Sequence, residues 1–330
     1  MNHGETSALP RGQVLAFGPV SSRRLGLSLG VNIVPRKTCT YDCVYCQLGR
    51  TTDLTSTRKE YIQTSVVVDA VLEKLDQSST TDYVTFVGDG EPTLALNLAD
   101  AIDLLSEQWQ GRIALITNGS LLWMQEVSEA ADRCDVVLPT LSAGSRDVFR
   151  ALHCPHGQLS FDRCIEGIHD FVARNTCPVW AEVMLVAGIN DHPESLREIG
   201  DTVRAVGPAE THLTAPLRPP SISTMQPPTR DTIELALSLI PDAIDFTYPE
   251  SSDMPSTEED SLRHLVDIAG THPLRHDQAI SVLVGSGYGQ DAACVLMNKL
   301  VDSGALLRLD RHGSIFYVRG REDPRAVQHL

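Results

Sequence analysis

The sequence has no run of about eighteen uncharged apolar residues, the length a helix needs to cross a bilayer. Its opening residues, "MNHGETSALPRG", lack the basic-then-apolar order of a secretory signal. Both absences predict a cytoplasmic protein with no membrane partner. The cytoplasm keeps thiols reduced, so clustered cysteines there are read as metal ligands or redox groups before disulfides. An excess of cations is missing too. Lys and Arg number 27 against 43 Asp and Glu, a formal charge of -16, which works against nonspecific nucleic-acid binding because that depends on neutralising phosphates. Nucleic acid is therefore not the favoured partner, although a local basic site is compatible with this balance.

What is present is enough apolar material, 42% of 330 residues, for one large domain and a smaller one. Short β-branched runs alternate with amphipathic ones, the pattern of repeated β-α units on a parallel sheet. Six strands are read as "LGLSLGVNIV", "YVTFVG", "RIALITN", "VVLPTLS", "PVWAEVMLV" and "ETHLTAPL". Five helical runs lie between them, starting "TSVVVD", "ALNLAD", "LLWMQE", "SFDRCI" and "ESLREI". Ser160 is a candidate N-cap of the fourth, and Pro193 with Glu194 suits the first turn of the fifth. Right-handed crossovers would wrap the six units into an α/β fold, a partial (β/α)6 barrel with its functional loops at the carboxyl ends of the strands. The expected boundaries are a flexible N-terminus at 1–11, the barrel domain at 12–249, a Pro, Ser and acid-rich linker at 250–257 and a tail at 321–330. Residues 258–320 read as three short helices and a hairpin turning at His312 and Gly313, the make-up of a winged-helix-like domain.

The chemistry concentrates in "KTCTYDCVYCQLGR", residues 37–50, where Cys39, Cys43 and Cys46 are spaced C-x-x-x-C-x-x-C directly after the first strand. The other five cysteines, Cys134, Cys154, Cys164, Cys177 and Cys294, are scattered and form no C-x-x-C pair. A four-cysteine zinc site or a fully ligated iron-sulfur cluster needs a fourth ligand. A cubane held by three thiolates leaves one iron open. A structural zinc knuckle is the plain alternative, with its fourth ligand recruited from elsewhere.

This spacing, with an aromatic at Tyr45, resembles the signature of the radical S-adenosylmethionine (radical SAM) superfamily. The resemblance implies a 4Fe-4S cluster on Cys39, Cys43 and Cys46 whose open iron is chelated by the amino and carboxylate groups of SAM. It continues in "VGDGEPTL", where Gly88, Asp89, Gly90, Glu91 and Pro92 stand at the positions of the family's Gly-Gly-Glu-Pro motif. Glycines there would let backbone approach the ligand, and a buried acid would complement the methionine ammonium. "TNGS" offers Asn118 to the SAM carboxylate or ribose, and "PTLSAGS" offers Ser142 to the ribose. "WAEVMLVAGIND" supplies Glu182 as an inward polar group and Met184, Leu185 and Val186 as an adenine wall, while Arg218 in "LRPP" would meet SAM or substrate. Within the superfamily, "FGPVSSRRLGLSLGVNIVP" and the motifs after it are similar to a subgroup of iron-sulfur oxidoreductases related to the tRNA wyosine-base synthases. That kinship makes RNA a candidate substrate, whereas the acidic balance favours a protein, peptide or small molecule.

The resemblance implies reductive cleavage of SAM to a 5'-deoxyadenosyl radical that abstracts hydrogen from substrate, with flavodoxin or ferredoxin as one-electron donor. A competing reading is an iron-sulfur redox-sensing transcription regulator with the winged helix as DNA reader. Arg23 and Arg24 are either surface charges or contacts to a substrate anion. In "HCPH", His153 or His156 is expected to face the substrate opening, and "GSGYGQ" is expected to be a turn.

Overall fold

The computed structural model describes residues 13–78, 80–249, 254, 261–311 and 313–320; the expected N-terminal and C-terminal tails and most of the linker lie outside them. The chain opens with an antiparallel pair, β1 (Ala16–Ser22) and β2 (Gly26–Val31). The cysteine segment follows, between the short parallel strands β3 (Thr38–Cys39) and β4 (Asp53–Leu54). Then come α1 (Thr64–Asp76), β5 (Tyr83–Phe86), a 3-10 turn (Pro92–Leu94), α2 (Leu98–Gln108), β6 (Arg112–Thr117), α3 (Gln125–Ala131) and β7 (Val136–Pro139). The domain continues through α4 (Arg146–His153), α5 (Phe161–Arg174), β8 (Trp180–Met184), α6 (Pro193–Val206), β9 (Glu210–Thr214), α7 (Arg230–Leu239) and β10 (Ala243–Asp245).

One sheet runs β1-β2-β5-β6-β7, parallel from β2 onward, and a second runs β10-β9-β8, also parallel. Two isolated parallel bridges, Val137 with Val179 and Thr140 with Glu182, connect β7 to β8. The result is one curved sheet with helices outside, which is why β5 and β7 are buried along their whole length. All six strands read from the sequence are present. The sheet adds β1 and β10, and the helical layer adds α4 and α7. Ser160 does cap α5, its Oγ accepting from Arg163 N at 3.4 Å, and Pro193 occupies the first turn of α6.

The main core lies between sheet and helices, with Leu29, Phe86, Leu115, Ile168 and Phe171 among its fully packed members. Inside the curve, towards the amino ends of the strands, Leu25, Tyr83, Ala114, Val136 and Leu138 form a separate apolar plug. The plug borders the polar-lined cavity, and Leu25 belongs to both.

The C-terminal module consists of α8 (Ser261–Thr271), β11 (Leu274–Arg275), α9 (His276–Gly285), α10 (Gln290–Asp302), β12 (Leu306–Arg311) and β13 (Ser314–Arg319). Its antiparallel sheet has the order β11-β13-β12, and the segment between α9 and α10 is the expected turn. The module has its own core, and Val20 of β1 is part of it. Two arginines strengthen this docking. Arg36 donates to Gly270 O, and Arg311 Nη2 donates to Pro216 O (3.0 Å) and Met225 O (2.7 Å). The module is thus packed on the barrel through side chains drawn from both.

Val20→Asp places an unpaired carboxylate in that shared core, a loss of about 3 kcal/mol or more. Limited proteolysis is expected to cut within 261–320 well before the barrel helices, whereas the native chain resists at both.

Candidate active site

The cysteine loop is built to hold still. Lys37, at a left-handed φ of 59°, begins it, and the Lys37 carbonyl accepts from Thr52 N and Asp53 N, both at 3.1 Å, so the loop closes on its own base. Asp42 Oδ1 accepts from Thr51 N (2.8 Å), and Thr40 and Ser120 join hydroxyls at 2.8 Å. The backbone of α4 takes the next part, His153 O accepting from Asp42 N (2.9 Å) and Leu152 O from Val44 N (3.0 Å). Ser221 Oγ donates to Cys43 O (2.8 Å) and Val44 O (2.9 Å) from the far side.

Cys39, Cys43 and Cys46 line one cavity of about 360 Å³, together with Tyr45, Gly88, Asp89, Gly90, Glu91, Asn118, Glu182 and Arg218. All three thiols are free. Burial first, and then the nearby Glu91 charge, push the Cys39 thiol up to about 12; burial likewise raises Cys43 well above its ordinary value. Apolar surroundings therefore favour the neutral thiols until a cationic centre stabilises the thiolates. Among the described residues no three His, Cys, Asp or Glu side chains converge as ligands of a single ion. The three cysteines face one cavity, and three thiolates with no fourth cysteine are the donor set of a group that keeps one position open.

Each sulfur also meets a neighbour. Lys37 Nζ lies 3.1 Å from Cys46 Sγ, Asn118 Nδ2 lies 3.7 Å from Cys39 Sγ, and His153 Nδ1 lies 3.4 Å from Cys43 Sγ and 3.3 Å from the Tyr45 hydroxyl. Such contacts orient thiolate ligands and tune what they hold.

Opposite the loop, Glu91 is 2% exposed and gathers four donors. Its Oε1 accepts from Thr93 N (3.1 Å), Thr93 Oγ1 (2.6 Å) and Thr117 Oγ1 (2.6 Å), and Oε2 accepts from Asn118 N (2.8 Å). Burial raises its carboxyl while these bonds pull it down. Gly88 takes a left-handed φ of 61°, and a Cβ on Gly90 would sit 2.0 Å from Thr38 O. Gly90 is therefore required by the approach of the cysteine loop's own backbone.

Asp89 is different. It is 4% exposed, its Oδ2 is 3.9 Å from Arg36 Nη1, and its buried Oδ1 has no protein partner among the described residues. A cavity-lining carboxylate with an unmatched oxygen fits a ligand that brings a donor, such as an ammonium.

Several sequence expectations are corrected. Ser142 is buried and does not line the cavity; its Oγ accepts from Met184 N (2.8 Å), tying β7 to β8. Leu185 is 0% exposed and belongs to the main core, because alternation along β8 sends Glu182 and Met184 inward and Leu185 outward. Val186 packs on Val44 and Leu152 instead. Pro92 also lies off the cavity and opens the 3-10 turn that Glu91 caps. His153 is buried behind Cys43, and burial lowers it to about 3, so it is a neutral ring against the loop. Glu182 does face inward, but its carboxylate is paired with Arg24. Arg218 lines the cavity and bonds to His272 Nε2 (2.6 Å), Pro273 O (3.3 Å) and Gln47 Oε1 (3.4 Å).

Sequence reasoning missed Lys37, Arg24 as the partner of Glu182, and the C-terminal residues Thr271 and His272, which complete the cavity wall. Period-two alternation on β2, which sends Ser28 and Gly30 inward, was the signal available for the interior. Thr271 and His272 left none, since they meet the cavity only through tertiary docking.

Burial pushes the Asp89 carboxyl up to about 6 against the pull of Arg36, Lys37 and Arg319. The folded chain then binds this proton more tightly than the unfolded one, so its stabilising effect is full below the ordinary carboxylate range and is lost as pH rises through about 6. Asp89→Asn is expected to match the native chain at pH 4 and exceed it at pH 7 by about 1–3 kcal/mol, measured by urea unfolding at fixed ionic strength.

The comparisons with known proteins agree with this geometry. The chain is 33% identical over 316 residues to the UPF0026 protein MJ1312 of Methanocaldococcus jannaschii, covering 92% of this chain and 96% of that protein. It is 30% identical to a Brachyspira hyodysenteriae protein named GTPase Obg, over 91% of this chain and 44% of that one. Its fold is similar to that of a radical SAM methyltransferase from Sphaerobacter thermophilus, with a TM-score of 0.50 at 17% identity, over 67% of this chain and 66% of the other. The model of the Radical SAM superfamily matches residues 33–199, half of the chain and the part that carries the cysteine loop, the glycine turn and the strand ends around them. The chain belongs to the radical SAM superfamily.

Proposed function

We infer that this protein is a radical SAM enzyme whose active site is the cavity under the cysteine loop. The observation that carries this reading is the meeting, across one cavity, of three free thiols on a pinned loop and a Gly-Asp-Gly-Glu turn with an unmatched buried carboxylate oxygen. A 4Fe-4S cluster held by these cysteines, once reduced by a one-electron donor, would supply the electron for reductive cleavage of bound SAM to methionine and a radical able to abstract hydrogen from the substrate.

The residues divide the remaining work. Cys39, Cys43 and Cys46 hold the cluster, and Asn118, His153 and Lys37 orient the three sulfurs. Asp89 receives the methionine ammonium, in place of Glu91, whose carboxylate is already engaged by four protein donors. Tyr45 and Met184 contribute the wall, and the plug centred on Leu25 and Tyr83 keeps water from entering through the amino ends of the strands. No side-chain acid or base is assigned to this opening step.

The C-terminal module, in helix, strand and hairpin order, is read as winged-helix-like. Its contribution of Thr271 and His272 to the cavity wall supports a role in closing the active site. The regulator reading gains nothing from α10, whose one cation is Lys299, or from a methionine-binding turn that a sensor would not need. A flavodoxin or ferredoxin as electron donor, a cytoplasmic setting and kinship with the wyosine-base synthases complete the proposal. Methyl transfer is one outcome open to such an enzyme, favoured by the fold's likeness to a radical SAM methyltransferase.

The test is anaerobic. With the cluster reconstituted, dithionite and SAM added, the native protein is expected to release 5'-deoxyadenosine, read by mass spectrometry, and Cys43→Ala to fall to background. A reconstituted native protein that binds SAM and yields none would overturn the reading.

A further inference from the structure

Arg24 lies on the wall of this cavity with most of its hydrogen-bonding capacity unused. It leaves the turn between β1 and β2, where Ser22 Oγ accepts from Arg24 N (3.3 Å) and Leu25 N (3.2 Å), so the launching backbone is fixed. Its Nη1 meets Glu182 Oε2 on β8, the two side chains being only 15% and 16% exposed. Among the described residues neither Nε nor Nη2 has a protein acceptor. The adjacent Arg23 makes a useful contrast, since it donates to Phe246 O and Tyr248 O and holds the chain beyond β10.

A half-buried ion pair of this kind adds little stability, because desolvating both charges offsets their attraction. Its effect here is geometric. The carboxylate of Glu182 holds one edge of a planar guanidinium, and the other edge remains a rigid fork of N–H donors suited to a bidentate oxyanion. No side-chain atom of Arg24 is both buried and partnerless, and Arg24 lines the cavity, where the oxygens of an occupant can meet its free edge. Hydroxyls surround the same space: Ser28 and Thr85 are joined at 2.7 Å, and Thr140 and Thr214 line it nearby.

Depth separates this point from the cysteines. Arg24 enters from the amino ends of the strands, whereas the cysteine loop covers the carboxyl ends. Glu182 precedes Met184 by two positions, which sets it about 7 Å further down β8. We propose that Arg24, positioned by Glu182, is the anion subsite for the substrate, which carries a carboxylate or a phosphate that anchors at the cavity floor and directs its other end towards the cysteines. The proposal rests on the cavity being the active site of the radical enzyme.

The test uses the full-length, cluster-reconstituted protein and two simple anions. Inorganic phosphate and acetate are titrated separately by calorimetry at constant ionic strength into native protein, Arg24→Gln and Arg24→Lys, and SAM affinity is measured by equilibrium dialysis. Native protein is expected to bind at least one anion, and Arg24→Gln to weaken it about tenfold or more. SAM affinity should stay within about twofold. A preference for phosphate identifies a phosphorylated substrate class, and a preference for acetate a carboxylate. Arg24→Lys, which keeps the charge and loses the fork, should fall between the two, and it serves as the test variant if circular dichroism shows that Arg24→Gln is unfolded. No anion binding by native protein, equal binding by native and variant, or a parallel loss of SAM affinity would overturn the proposal; the last result would give Arg24 to the carboxylate of SAM. Arg24-dependent anion binding in a protein that makes no 5'-deoxyadenosine would instead sink the radical reading and leave the subsite standing.

Discussion

The hydrogen bonds to the Glu91 carboxylate hold the active end of the barrel in register. One buried side chain accepts from the Thr93 amide and hydroxyl, the Thr117 hydroxyl at the end of β6 and the Asn118 amide just beyond it. Charge-assisted bonds in low dielectric are strong, and four donors left without their acceptor would each carry a desolvation cost. The consequence spreads to the cysteines. Asn118, fixed by its amide, turns its side chain to Thr40 Oγ1 (2.6 Å) and Cys39 Sγ, and the backbone of Glu91 donates to Thr38 O at 3.0 Å. The loop therefore takes its position from a carboxylate with no direct contact to a sulfur.

A second constraint is electrostatic. Three thiols and the carboxyl groups of Asp89 and Glu91 share a desolvated space, and burial raises Cys39, Cys43, Asp89 and Glu91 towards their neutral forms. Cations stand around it: Lys37 beside Cys46, Arg36 near Asp89, and Arg24 and Arg218 on the cavity wall. Burial still favours the neutral groups, and a cationic centre entering the cavity would shift them towards their charged forms. Rigidity in the cysteine loop comes from backbone bonds to α4, Ser221 and Thr52 together with the Arg50–Asp42 ion pair.

How much of this was legible in the sequence depended on the range of the interaction. Strands and helices with strong periodicity, such as "YVTFVG" and the run that became α5, were readable because their burial follows local alternation. β1 escaped because its partner β2 was already read as a barrel strand and nothing local marks an antiparallel edge. α4 is only eight residues long, and its function is to present backbone carbonyls to the cysteine loop. At the site, Cys39, Cys43, Cys46 and the glycine turn were legible as motifs. Ser142 and Leu185 were misplaced because a motif names a strand end without saying which face each residue takes. Glu182 was correctly read as inward, yet its partner Arg24 lies 158 positions away in the chain.

The C-terminal module shows where reading by parts breaks down. Its elements taken alone admit a DNA reader only as the alternative to a protein contact or a cap on the barrel, and its surface exposes Val295, Leu307 and Leu309. Its interior, however, includes Val20 of the barrel, and the end of α8 gives Thr271 and His272 to the cavity. Arg218 joins the two parts by donating to His272 and to Pro273 O while reaching Gln47, the residue after Cys46. A movement of the module would therefore shift the wall beside the cysteine loop as well as the outer surface.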